Sequence, residues 1–123
     1  MKLNGRSKQQ IREWCTVLES GVFRQNREGF LNRGGSFCCL GVACALFIPE
    51  NKIEKTTNSY DHISKNEING CYPYSQKAAP KWLKQIDQDF YRRTGNKLSQ
   101  LNDNGAPFEY LAKKIRKTYL KGE

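Results

Sequence analysis

The chain has 123 residues, a formal charge of +9 at pH 7, a hydrophobic fraction of 37% and an aromatic fraction of 11%. That length suits one domain around one core, and the aromatic content is too high for a chain kept unfolded by charge repulsion. The longest apolar run, Phe37 to Pro49, falls short of the roughly 20 residues that span a bilayer, and Arg12 and Glu13 interrupt the stretch where a signal peptide would be uniformly apolar.

The expectation is therefore a single domain over 1–123 that makes no membrane association and stays in the cytoplasm where it is made. The excess of Lys and Arg favours anionic partners such as nucleic acid, a nucleotide or an acidic protein face. Five cysteines are present, an odd number, with Cys38 and Cys39 adjacent and no export signal, so free thiols are expected rather than disulfides. With one histidine and no Cys-x-x-Cys pair, neither a metal site nor a bound cofactor is expected.

Ser7 is a candidate cap for a first helix in which Ile11, Trp14, Cys15 and Leu18 recur at helical spacing, and Gly21 supplies its stop. From Val22 to Ser36 loose alternation and the glycines at 29, 34 and 35 predict short strands or an irregular hairpin. Ser36 is then the expected cap of a helix over Phe37–Phe47, FCCLGVACALF, apolar on nearly every face as a buried central helix must be, with Gly41 marking a close crossing and Pro49 ending it.

Residues 51–76 lack helical period and read as a long surface excursion. Pro80 opens a short helix, KWLKQID, whose buried contacts are Trp82, Leu83 and Ile86, with a strand possible at Phe90–Arg92. Leu98 to Asn104 predicts a short helix ending at Gly105, and Pro107 starts the last one. There Phe108, Leu111, Ala112, Ile115 and Tyr119 share one face, while Lys113, Lys114, Lys117 and Lys121 lie opposite. The fold class is α+β: a mainly helical single domain with a buried central helix and a small antiparallel hairpin or sheet.

Three constellations could carry function. Cys38 and Cys39 sit after a glycine pair in the first turn of a predicted helix, where N–H groups and the macrodipole stabilise a thiolate, and His62 could serve as its base, giving a cysteine-dependent hydrolase or transferase. The plainer reading makes these thiols small core hydrophobes. The second constellation is the basic face of the last helix, Lys113, Lys114, Arg116 and Lys117, which can contact phosphates and, with the Gly105 turn, draws a helix-turn-helix outline over 97–120. The third is Arg24, Gln25, Arg27, Arg33, Arg92 and Arg93 among Phe23, Phe30, Tyr72, Tyr74 and Tyr91, since arginine forks pair with phosphate and aromatic rings stack on bases.

The combination of a tryptophan-bearing first helix, the segment Ser20 to Gln25, then Phe37 to Cys44 (FCCLGVAC), then Leu98 to Ile115 (LSQLNDNGAPFEYLAKKI) resembles a family of small uncharacterised accessory proteins of tailed bacteriophages. That family carries a Cys-Cys-Leu-Gly-Val element, here Cys38 to Val42, and a Leu-Asn-Asp-x-Gly-x-x-Phe element, here Leu101, Asn102, Asp103, Gly105 and Phe108. The resemblance implies a protein of the infected host's cytoplasm and brings no catalytic residues with it. Within the second element Asn102, Asp103 and Gly105 suit a helix end and turn, with Asp103 or Asn104 able to cap the final helix. The leading expectation is a non-enzymatic accessory protein that binds a host macromolecule and inhibits a defence or housekeeping factor. A nucleic-acid or nucleotide-binding module stands second, and the cysteine enzyme third.

Overall fold

The computed structural model describes residues 1–25, 27, 32–33, 36–48 and 80–121, and within it the chain is α+β and mainly helical. Helix α1 spans Gly5–Ser20, strands β1, β2 and β3 span Arg24–Gln25, Asn32–Arg33 and Ser36–Phe37, and α2 spans Cys39–Phe47. Helices α3, α4 and α5 follow at Lys81–Thr94, Leu98–Asp103 and Phe108–Ile115, and α5 runs on into a π-helical turn at Arg116–Leu120. The surface excursion expected over 51–76 lies outside the described residues.

Helix α1 starts earlier than Ser7 predicts. Asn4 is the cap, and its Oδ1 accepts the Ser7 N–H at 2.8 Å. An asparagine caps as well as a serine, so the residue three positions upstream takes the role and Ser7 becomes part of the helix. The stop at Gly21 is as expected, with φ of 77°. Ile11, Trp14, Cys15 and Leu18 are buried as their spacing demands.

The small sheet has the order β1-β3-β2, with β2 antiparallel to β3 but β1 parallel to it, so the all-antiparallel expectation fails on one pairing. This sheet also moves the start of the central helix. Ser36 and Phe37 are paired on both sides, with Arg24 and Gln25 on one and Asn32 and Arg33 on the other, which holds them extended. The cap falls to Cys38, whose Sγ accepts the Gly41 N–H at 3.4 Å, and the helix begins at Cys39 rather than Phe37. Its residues Cys39 to Cys44, Gly41 included, are buried.

No strand forms at Phe90–Arg92. Phe90 continues the buried row of Trp82, Leu83 and Ile86 at helical spacing, and Arg93 reaches back one turn to Asp89, so α3 runs on to Thr94 and ends at Gly95 with φ of 83°. After α4 the chain reverses in a Schellman turn: Gly105, at φ of 110°, donates to the Asn102 carbonyl and Ala106 to the Leu101 carbonyl. Pro107 then begins α5 with no side-chain cap, so neither Asp103 nor Asn104 is its N-cap.

The buried apolar residues form one cluster drawn from every helix. The Trp14 and Trp82 rings lie 5.5 Å apart, and Phe47 meets Trp82 edge-on at 5.8 Å. Both indoles are satisfied, Trp14 donating to the Cys39 carbonyl at 2.9 Å and Trp82 to Gln10 Oε1 at 2.7 Å. Side chains of this size contribute about 1.5–3 kcal/mol each when buried, so these rings help hold α1, α2 and α3 together.

Candidate anion-binding cavity

On one side of α3 the fold leaves a cavity of about 520 Å³. Phe90, Arg93 and Thr94 face it from α3, Asn96 from the turn, Leu101 from α4, Tyr110 and Lys114 from α5, and Lys117 and Thr118 from the π turn. The set follows from helical spacing, since 90, 93 and 94 share a face of α3 and 110, 114, 117 and 118 share one of α5 and its continuation. Phe90 is buried and Leu101 half-buried, giving an apolar floor, while Lys117 and Arg93 are exposed at the rim. Among the described lining residues three are cationic and none is a carboxylate.

The π turn matters to this arrangement. Such turns are uncommon, and they recur at functional sites because an added residue re-aims the helix face. Here it buries both Tyr119 and Leu120 while Lys117 and Thr118 reach the cavity. The turn is tied down from α3: Tyr119 donates its hydroxyl to Asp89 Oδ2 at 2.8 Å, and Arg93 Nε donates to the same oxygen at 2.7 Å. Burial works to raise the Asp89 carboxyl, but the bonds from Arg93 and Tyr119 outweigh it and hold the group below its ordinary value. Burial, with Asp89 beside it, pushes the Tyr119 hydroxyl well up, so it remains a donor. The Lys114 ammonium lies 5.4 Å from the centre of the Tyr110 ring, within cation–π range.

The structure thus brings Arg93, Lys114 and Lys117 together from two of the sequence-predicted sets and leaves the others apart. Arg116 turns to α1, where Glu19 takes it at 2.9 and 3.1 Å and Thr16 accepts at 3.2 Å. Arg92 is exposed, 3.9 Å from Asp89 Oδ1, and Lys113 is exposed on α5. Arg24 is exposed on β1 and is not one of these lining residues. The side chain of Arg33, with Phe30, Tyr72, Tyr74 and the candidate base His62, lies outside the described residues.

Gln25 has a structural task. Its Nε2 donates to Asn102 Oδ1 at 2.9 Å and to the Ala106 carbonyl at 2.8 Å. Asn102 Oδ1 also accepts the Cys39 N–H at 3.1 Å, and its Nδ2 donates to Asp103 at 3.1 Å. Gln25 of β1, Cys39 at the start of α2 and Asn102 of α4 therefore meet at one buried amide.

Cys38 and Cys39 are sealed beside that amide, at 1% and 0% exposure. Burial pushes the Cys38 thiol up to about 12 and the Cys39 thiol well above its ordinary value. A nucleophile must reach its substrate as thiolate, so in this fold the two fill the core. The sulfur of Cys39 instead lies 3.8 Å from the Leu98 carbonyl, and Cys15, Cys38 and Cys39 are free thiols. Among the described residues no three His, Cys, Asp or Glu side chains gather as metal ligands, and no helix is long and apolar enough to cross a membrane.

Sequence reasoning missed Tyr110, Asp89 and Thr118. Tyr110 carried a signal, being an aromatic residue off the apolar face of α5 and one turn before Lys114. Asp89 carried none that separates it from any exposed acid on a helix.

The model of a family described as a domain of unknown function, DUF8296, matches residues 7–119. No curated protein and no solved structure matches the chain.

Proposed function

We propose that the chain, which belongs to the DUF8296 family, is a non-enzymatic binding protein whose α3–α5 cavity takes phosphate groups of a nucleic-acid partner. The phage resemblance supports a partner in the cytoplasm of an infected host, with the protein as an accessory factor there. The observation that carries the reading is the convergence of Arg93, Lys114 and Lys117 on one cavity with Tyr110 beside them and no carboxylate among the described lining residues. Arginine forks and lysine ammoniums are the groups that hold phosphate, and an aromatic neighbour adapts such a site to nucleic acid rather than to an acidic protein face.

Binding of the full chain to short single-stranded oligonucleotides across a salt series tests this. Three phosphate contacts predict a slope of log affinity against log salt of roughly −2, and Lys117→Ala should flatten it by about 0.7. Affinity that ignores salt, or no binding even at low salt, would overturn the reading. Pull-down from host lysate with and without nuclease adds a second arm: a partner protein retained equally after nuclease would replace nucleic acid with an acidic protein surface.

A further inference from the structure

The cavity is larger and less polar than phosphate alone requires. Its floor is Phe90 and Leu101, Arg93 and Lys117 stand at the rim, and it is a depression open to solvent with a volume of about 520 Å³, room for a group larger than one phosphate. A site for bare phosphate would surround the ion with donors. An apolar floor beneath a cationic rim fits a ligand with one flat apolar end and one anionic end.

Tyr110 supplies the matching surface for the flat end. The residue is 44% exposed, and the Lys114 ammonium stands over one face of its ring, so a stacked base takes the other face or displaces the ammonium. The walls are also fixed before a ligand arrives: Asp89 holds Arg93 on one side and, through Tyr119, the π turn that carries Lys117 on the other. Asp89 takes the Nε of Arg93, and the rest of that side chain is half exposed at the rim.

We infer that the cavity holds one nucleotide unit, its base stacked on Tyr110 and its phosphate between Arg93 and Lys117. The inference rests on the phosphate-binding reading above and names the ligand of that same site. The unit can belong to a free nucleotide or to a strand end, and the stacked base with its phosphate is common to both.

Titration of the full chain with adenosine monophosphate, inorganic phosphate, adenosine and a short oligoadenylate separates these elements. The monophosphate should bind roughly five- to a hundredfold more tightly than inorganic phosphate, the span expected of one base on an aromatic ring. Tyr110→Leu should bring it down to the phosphate level, Tyr110→Phe should keep the difference, and Lys117→Ala should weaken both anions by a similar factor. A readout that needs no variant is nuclear Overhauser contact between the adenine protons and the Tyr110 ring in the wild-type complex.

Equal affinity for monophosphate and phosphate, or absence of that ring contact in a saturated complex, overturns the nucleotide pocket even if the oligonucleotide binds with the expected salt slope, in which case the broader reading survives. No binding of any of the anions at low salt overturns both. Oligoadenylate bound more tightly than the monophosphate assigns the strand as the natural source, and equal affinity assigns the free nucleotide; either supports the pocket.

Discussion

Asn102 Oδ1 accepts the Cys39 N–H at 3.1 Å, so the side chain of a residue in α4 satisfies the first amide of the central helix across 63 positions of sequence. Helix N-termini leave their first amides without intrahelical partners, and one buried without a bond would cost about 1–3 kcal/mol. The same oxygen takes Gln25 Nε2, so α2, α4 and β1 are registered through one atom.

Removing that atom should be felt as a loss of stability. Asn102→Ala is expected to cost about 2–3 kcal/mol, lowering the melting temperature by roughly 10 °C, because it strands a buried N–H and opens a space at 0% exposure. Gln25→Ala should cost about 1 kcal/mol. In a double-mutant cycle the two should be non-additive by about 0.5 kcal/mol or more, measured by chemical denaturation, and strict additivity would contradict the shared acceptor.

Gly105 offers a purely conformational test. Its φ is 110°, and an added Cβ would meet nothing within 4 Å, so Gly105→Ala should cost about 1–2 kcal/mol through backbone strain alone. A neutral outcome in thermal melting would show that the turn after α4 relaxes.

The thiols should be silent in the native protein. Cys15, like Cys38, is pushed up to about 12 by burial, so neither they nor Cys39 should react with iodoacetamide at pH 7.5 over minutes, whereas all three label once the chain is unfolded. Mass spectrometry of each peptide checks this, and fast native labelling of Cys38 or Cys39 would return the thiols to the list of candidate nucleophiles.

Asp89 sets a pH dependence. Its folded-state carboxyl lies below the ordinary value of 3.8, so its contribution is fully present at pH values above 3.8 and is lost as pH falls through the lower folded value. Asp89→Asn should therefore destabilise the protein near pH 7, by about 1.5 kcal/mol for the loss of charge-assisted bonds. The gap to wild type should narrow below about pH 3.8. Melting curves from pH 7 to pH 3 read the difference, and a gap that widens on acidification would contradict the assignment.

Much of the helical framework was legible in the chain order of residues. Apolar spacing placed Ile11, Trp14, Cys15 and Leu18 in α1 and Phe108, Leu111, Ala112 and Ile115 in α5 correctly, because a stripe at helical period has one way to be buried. The ends were less legible. Asn4 in place of Ser7, and Cys38 in place of Ser36, show that several residues near a helix start can cap it, and that strand pairing by Ser36 and Phe37 decides which one does.

The candidate site divides the same way. Composition and helical spacing by themselves determined that the last helix carries a basic face opposite its buried one, and that the centre of FCCLGVACALF, Cys38 to Cys44, is core. They could not tell Lys117, which lines the cavity, from Arg116, which turns to Glu19, since adjacent residues on a helix point about 100° apart and only the packed neighbour determines what each one meets. Nor could they join Arg93 to Lys114, or reduce Cys38 and Cys39 from a possible nucleophile to packing. Those outcomes depend on contacts between elements distant in sequence: Asp89 with Tyr119, and Asn102 with Cys39. Local pattern sets which face of an element is apolar, and tertiary packing alone sets which polar groups on the other faces converge.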